Sequence, residues 1–302
     1  MELGLVFLGT SAAVPAAGRG LPGLGVVYRG SVVLLDAGEG TQARLRECGL
    51  SPLRVAAVLV THLHGDHVFG LPGLLQSMAM LGRRSLLVVA GPRGLRRFLE
   101  EAAVATYWLP PYPLWVVELE PGGSLVLPNG FLARAFPVAH RVPALGYRLV
   151  EPARKPRVDL GRARRLGVVG PLLGRLQRGE PVELPGGRIV RPEEVLVERP
   201  RATIVYTGDT APTESVVEAA RGASVLVHDA TFTSDMAAEA HAQGHSTARD
   251  AAEAARRAGV GVLVLTHFSA RYEDARPLVD EARRLFPRTY AAVDCGRLPL
   301  RL

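Results

Sequence analysis

The sequence predicts an α/β protein in which helices cover the faces of buried sheets. Three observations predict it. Short, β-branched apolar runs are bounded by glycine, helix-length amphipathic segments separate them, and the alternation recurs in both halves of the chain. With 302 residues, 48% of them hydrophobic, the chain can bury a sizeable core. The simplest organisation is one domain spanning residues 1–302, made of two halves, with an inserted excursion at about 151–200.

The elements follow in order. Residues 3–9, 24–30 and 31–38 read as strands, and 39–49 as a helix stopped by Gly49. The continuous apolar run 55–61 predicts a strand buried on both faces. A helix over 69–81, a strand over 85–91 and a helix over 92–106 with Pro92 near its first turn come next. Residues 114–150 read as consecutive strands joined by Pro-Gly and Asn-Gly turns. Alternation resumes with strands at 202–210, 224–230, 261–268 and 289–294, and helices near 246–258 and 274–285.

Composition excludes some classes. No stretch reaches the roughly 18 uninterrupted apolar residues of a membrane span. The start lacks the pattern of a secretory signal. Cys48 and Cys295 stand alone without metal-ligand spacing and make no disulfide framework, so a cytoplasmic location is expected. The net charge of +7 is almost all arginine, since Lys155 is the only lysine. Such a balance favours polyanionic partners, although base composition or heat adaptation also produces it.

The most informative stretch is "VTHLHGDH" (60–67), directly after the buried strand. It holds His62, His64, Asp66 and His67, three of the chain's eight histidines. Imidazole and carboxylate at this spacing suit zinc or a similar divalent ion, and ligands splayed from one turn can serve two metals. An exposed polar loop is the competing reading. Other candidate ligands also fall at strand ends, where ligands gather in α/β sheets: His140 after "ARAFPVA", Asp209 after "TIVYTG" and His267 after "VLVLT". These seven groups make two sites if one carboxylate bridges, a clamp suited to phosphoryl displacement.

Several pieces carry a resemblance. "THLHGDH" fits the H-x-H-x-D-H signature of the metallo-β-lactamase superfamily. "FLGTSAAVP" (7–15), "LLDAGEGTQARL" (34–45), "TGDT" (207–210), "HDATF" (228–232), "GHSTA" (244–248) and "THFSARY" (266–272), in this order along the chain, resemble the ribonuclease Z family within it. The resemblance implies an αββα sandwich of two facing mixed sheets with helices outside. It implies an endoribonuclease that removes the 3′ trailer from precursor tRNA, leaving a 3′-hydroxyl on the tRNA and a 5′-phosphate on the trailer. It implies two zinc ions per subunit, with manganese the alternative, and a homodimer. Residue by residue, it puts His62, His64 and His140 on one metal, Asp66, His67 and His267 on the other, and Asp209 between them. Asp66 is open to a second role as general base.

His245 precedes a helix for which Ser246 or Thr247 is the expected cap. The resemblance gives it the role of proton donor to the departing 3′ oxygen, oriented by Asp229, where many relatives carry glutamate. His228 reads as a core histidine and His241 as a solvated helix residue. Arg271 is a candidate for holding phosphate, with a surface salt bridge as the competing reading.

Residues 151–200 carry Arg154, Lys155, Arg157, Arg162, Arg164, Arg165, Arg175 and Arg178, with a short helix expected at 159–167 and too little apolar content for a core. Arginines spread over an arm suit the backbone of a folded RNA, although a charge run is often a solvated face. The segment resembles the protruding tRNA-gripping arm of the family, including Gly170-Pro171. Rival functions on the same fold are a small-substrate phosphodiesterase and a thioesterase or lactonase. An RNA-binding scaffold with dead metal sites is a third.

Overall fold

In a computed structural model that describes residues 2–300, two seven-stranded mixed sheets build the fold. The first sheet runs in the order Arg297–Pro299, Leu3–Gly9, Gly23–Tyr28, Ser31–Leu35, Val55–Leu59, Leu87–Gly91, Leu114–Glu118. Its last four strands are parallel to one another. The second runs Thr289–Ala291, Val262–Thr266, Val225–Asp229, Thr203–Tyr206, Leu145–Val150, Leu132–Pro137, Ser124–Val126, parallel over its first four strands and antiparallel after that.

Alternation along each strand sorts the side chains into layers. Leu5, Leu24, Val33 and Leu59 of the first sheet and Ala133, Tyr147, Leu149 and Ile204 of the second form one core between the sheets. Val58 and Val60 on the other face of the first sheet meet the helices Thr41–Glu47, Gly70–Met80 and Leu95–Ala105. Leu226, Leu263 and Leu265 meet the helices Glu214–Ala220, Ala248–Ala258 and Arg276–Arg283. This is the αββα sandwich. Val55–Leu59 lies between two parallel neighbours and is almost wholly buried, which is why its sequence shows no alternation.

Three elements differ from expectation. Leu114–Glu118 pairs in parallel with Leu87–Gly91 and so belongs to the first sheet, while only the three strands after it form the antiparallel ribbon. Arg297–Pro299 returns to pair with Leu3–Gly9, a strand too short to show a pattern. Cys48 and Cys295 form a disulfide across a sequence separation of 247. Cys48 caps the helix Thr41–Glu47, and the Cys295 amide donates to the Phe7 carbonyl, so the returning strand brings the two together. Sequence distance hid the pair. The cysteines therefore do not argue for a reducing compartment.

The chain divides into two compact units, one of residues up to Val150 and from Ala202 on, the other Glu151–Arg201. The second unit has the helix Leu160–Arg165, capped by Asp159, and the helix Pro171–Gln177. Contrary to expectation it has a small core, with Ala163, Val168, Leu176, Val182, Val190 and Val195 buried. Its apolar residues are few but converge. No helix among the described residues is long and apolar enough to cross a membrane.

A disulfide that closes so long a loop restricts the unfolded chain strongly. Reducing it, or replacing Cys295 by serine, should lower unfolding free energy by about 2–4 kcal/mol. Denaturant unfolding of the oxidised, reduced and Cys295→Ser proteins checks this. Equal midpoints for all three would contradict it.

Candidate metal centre

All seven predicted ligands come together at the strand ends, in two adjoining groups. His62, His64 and His140 form one, and Asp66, His67, Asp209 and His267 the other, with candidate ligand atoms within 4.8 Å of one another in each group. The first strand sheet delivers four of them. After Val55–Leu59 the chain passes Thr61, His62 and His64 and turns into the single helical turn Gly65–Val68, which carries Asp66 and His67. His140, Asp209 and His267 follow Leu132–Pro137, Thr203–Tyr206 and Val262–Thr266. His267 has φ 62°, a left-handed conformation costly for a non-glycine residue and characteristic of functional sites. Gly208 before Asp209 has φ 59°, and a Cβ there would lie 2.7 Å from the Thr61 side chain.

Hydrogen-bond partners fix which ring nitrogens are free. His67 Nδ1 donates to Asp36 Oδ2 at 2.9 Å. The Thr61 hydroxyl donates to Asp36 Oδ2 at 3.0 Å and so accepts from His62 Nδ1 at 3.0 Å. The Thr231 hydroxyl donates to Asp229 Oδ1 at 2.7 Å and accepts from His267 Nδ1 at 3.0 Å. His140 Nδ1 donates to the Gly244 carbonyl at 2.8 Å. In the neutral form of all four rings Nε2 is left with its lone pair, aimed inward.

The donors then crowd one another. His64 Nδ1 lies 3.1 Å from His62 Nε2 and 3.2 Å from His140 Nε2, so at most one proton, on His64, can serve three nitrogens. Asp209 Oδ1 lies 3.3 Å from His67 Nε2 and 3.2 Å from His267 Nε2. Those three atoms are buried and make no hydrogen bond. Buried polar atoms without partners are rare and costly. Lone pairs held toward a common point, with nitrogen and carboxylate donors mixed, fit a divalent transition-type cation.

Charge is distributed unequally between the two groups. Burial opposes charge on His67, yet Asp209 and Asp36 raise its pKa well above the usual value. Burial opposes charge on Asp66 and Asp209 too, yet the surrounding histidines hold both carboxyls below their ordinary range. Burial lowers His62, with His67 adding to it, and lowers His140 against the pull of Asp209. The carboxylate group draws positive charge, whereas burial keeps His62 and His140 uncharged.

His245 stands just outside. Its Nδ1 donates to Asp229 Oδ2 at 3.0 Å, and its ring stacks on His267 with centroids 5.2 Å apart. Asp229 is fully buried and also accepts from the amides of Thr210 and Thr231 at 3.1 and 2.9 Å. Burial disfavours the imidazolium, but the Asp229 charge and hydrogen bond outweigh it, and the pKa is raised to about 9. Thr247, rather than Ser246, caps the following helix in a capping box with Asp250. His228 is buried in its strand as expected, and half-exposed His241 pairs with Asp250 at 2.8 Å.

The remaining predicted residues sit elsewhere. Arg271 is exposed, 3.5 Å from Glu239 and over the Phe232 ring at 4.8 Å. In the second unit Arg162 reaches Asp159 at 3.5 Å, and Arg175 and Arg178 reach Glu180 at 3.3 and 2.8 Å. Arg164 and Arg165 are exposed without such a pair within 4.0 Å among the described residues. Gly170, at φ 57°, and Pro171, opening its helix, are exposed.

Sequence reasoning missed Asp36. It leaves the strand Ser31–Leu35 at φ 59°, fully buried. Its Oδ1 accepts from the Thr61 amide at 2.7 Å, and Oδ2 from the Thr61 hydroxyl, His67 and the Tyr206 hydroxyl at 2.9 Å. One carboxylate thus orients ligands of both groups. Asp36→Asn places an amide among three donors and should weaken metal binding about 10–100-fold. A chelator competition titration checks this, and unchanged affinity would contradict it.

The chain resembles known proteins over nearly its whole length. The description "Metallo-beta-lactamase superfamily" matches residues 24–267. Ribonuclease Z of Ignicoccus hospitalis is 52% identical over 97% of this chain and 97% of its own. Ribonuclease Z of Haloferax volcanii is 44% identical over 95% of this chain and 91% of its own. The crystal structure of human tRNase Z, short form, superposes with a TM-score of 0.72 at 26% identity, covering 99% of this chain and 100% of that one. The chain belongs to the metallo-beta-lactamase superfamily and, within it, to the ribonuclease Z family of metal-dependent nucleases.

Proposed function

We propose that this protein is a zinc-dependent endoribonuclease that removes the 3′ trailer from precursor tRNA in the cytoplasm. The observation that carries the reading is the pair of adjoining ligand groups meeting at Asp209, with a buried carboxylate–imidazole pair beside them. The names of the relatives support the substrate. His62, His64 and His140 would hold one ion and Asp66, His67 and His267 a second, with Asp209 between, and the nitrogen-rich donor set favours zinc over manganese. Bound there, the two ions supply Lewis-acid polarisation of the phosphoryl oxygens and an acidified water.

The chain's own residues do the rest. Asp36, Thr61, Thr231 and Gly244 hold the rings in place. Asp66, depressed in basicity and fixed by the Ala13 amide at 3.1 Å, is assigned to the metal and not to proton abstraction. As the water, its proton released to solvent, attacks phosphorus, the bond to the 3′ oxygen breaks, and the His245 imidazolium gives that oxygen its proton from Nε2. The tRNA keeps a 3′-hydroxyl and the trailer a 5′-phosphate. Asp229 stabilises the charged imidazole beforehand. Arg162, Arg164 and Arg165, grouped in the helix Leu160–Arg165, with Gly170, Pro171, Arg175 and Arg178, would grip the folded part of the tRNA in a homodimer. Arg271 would have to leave Glu239 to hold phosphate.

The test is cleavage of an end-labelled, 3′-extended pre-tRNA with zinc. A single cut at the acceptor-stem end is expected. His245→Ala should slow it about 10²–10⁴-fold with metal content retained. Activity should be lost as pH rises through the His245 pKa, because the proton donor must be charged. Asp229→Asn removes the charge that raises this pKa, so its alkaline limb should lie at lower pH. Replacing Arg162, Arg164 and Arg165 together should weaken pre-tRNA binding and spare hydrolysis of bis-p-nitrophenyl phosphate. No cut of pre-tRNA with brisk hydrolysis of that small diester would favour a small-substrate phosphodiesterase.

A further inference from the structure

We propose that the outer face of the second sheet carries a groove for the RNA phosphate backbone, built by Arg134, Arg148 and Arg221. The proposal rests on the reading of RNA as substrate and lies wholly within the first compact unit.

Along Leu132–Pro137 and Leu145–Val150, Ala133, Ala135, Tyr147 and Leu149 face the core between the sheets. The intervening Arg134 and Arg148 therefore face outward. The strand register sets these two directly opposite each other. Like charges in that position destabilise a sheet. Neither these two nor Arg221 has a carboxylate oxygen within 4.0 Å among the described residues. By contrast, Arg97, Arg256 and Arg276, on exposed helices, reach one at 2.7, 2.6 and 2.6 Å.

Arg148 is held by donating to the carbonyl oxygens of Ala219 and, at 3.3 Å, Arg221, so its charge is pinned where the helix Glu214–Ala220 ends. Burial and the charge of Arg134 both lower its pKa. The three arginines line a groove of about 550 Å³ with Pro137 and Ser215. Glu218 is the single carboxylate there and makes no ion pair within 4.0 Å.

Placement gives the arrangement a use. Arg134 lies six residues before the candidate ligand His140, a reach of about 20 Å at most for extended chain. A strand whose scissile phosphate sits at the metal centre can bring phosphates a few nucleotides away to the groove. Guanidinium groups match phosphate oxygens in a forked, charge-assisted geometry. Phosphates would relieve the repulsion between Arg134 and Arg148. The sheet holds its charges apart from carboxylates because the substrate supplies the anions.

The test uses the full chain with His245→Ala, so that 3′-extended pre-tRNA binds without turnover. Affinity is measured by fluorescence anisotropy across salt concentrations, with and without Arg134→Gln and Arg221→Gln. Arg148 is left intact because it also holds the helix end. With both substitutions, the slope of log affinity against log salt should become shallower by about 2, one for each lost phosphate contact. In the His245-containing protein, the same pair should leave bis-p-nitrophenyl phosphate hydrolysis unchanged and the melting temperature equal or higher. Equal affinity and slope with and without the substitutions, in a protein that binds pre-tRNA, would overturn the groove alone. Failure of the parent to bind pre-tRNA would overturn the substrate reading and the groove with it.

Discussion

Everything in this site depends on ring nitrogens and carboxylate oxygens being held toward one another out of water. His67 Nε2, His267 Nε2 and Asp209 Oδ1 are buried, within 3.3 Å along each contact to Asp209, and unsatisfied. Taking the groups of this cluster out of water is costly unless opposite charges or a cation compensate. The surrounding structure must over-determine it. Asp36 does so from one side, with four accepted hydrogen bonds, and the Asp229–Thr231 pair from the other. Strain accompanies this order: Asp36 and His267 both occupy left-handed backbone conformations. A cation would satisfy the converging donors at once.

The two carboxylates behind the ligands divide the work. Asp36 accepts from His67 Nδ1 and, through Thr61, orients His62. Asp229 accepts from His245 Nδ1 and raises its proton affinity beside the same centre. In the proposed mechanism the first acid serves ligation and the second proton transfer. Arginine shows a similar division. Arg162, Arg175 and Arg178 have carboxylate partners, whereas Arg164, Arg165 and the groove of Arg134, Arg148 and Arg221 have none within ion-pair distance. Positive charge left uncompensated is charge available to a polyanion.

The legible parts of the sequence were local. His62, His64, Asp66 and His67 share one turn, so a short window shows them. His140, Asp209 and His267 became readable because each ends a strongly patterned strand. Asp36 did not: "DAG" after a strand looks like any turn, and its partners Thr61, His67 and Tyr206 come from other elements up to 170 residues away. The Cys48–Cys295 bond was hidden in the same way, by a return strand of three residues. The core of Glu151–Arg201 was missed because composition averages over a segment whose few apolar side chains converge. The sandwich itself rested on motif resemblance, since periodicity alone distinguishes α/β without fixing how many sheets there are.

The central claim is that the seven converging groups hold two cations. The direct measurement is native mass spectrometry of the chelator-stripped protein after zinc is restored, beside the same protein with His140→Ala. Two zinc ions per chain in the parent and one in the variant, with the Asp66, His67, Asp209 and His267 group intact, is the predicted result. One ion in both proteins would contradict the account, and so would none in the parent.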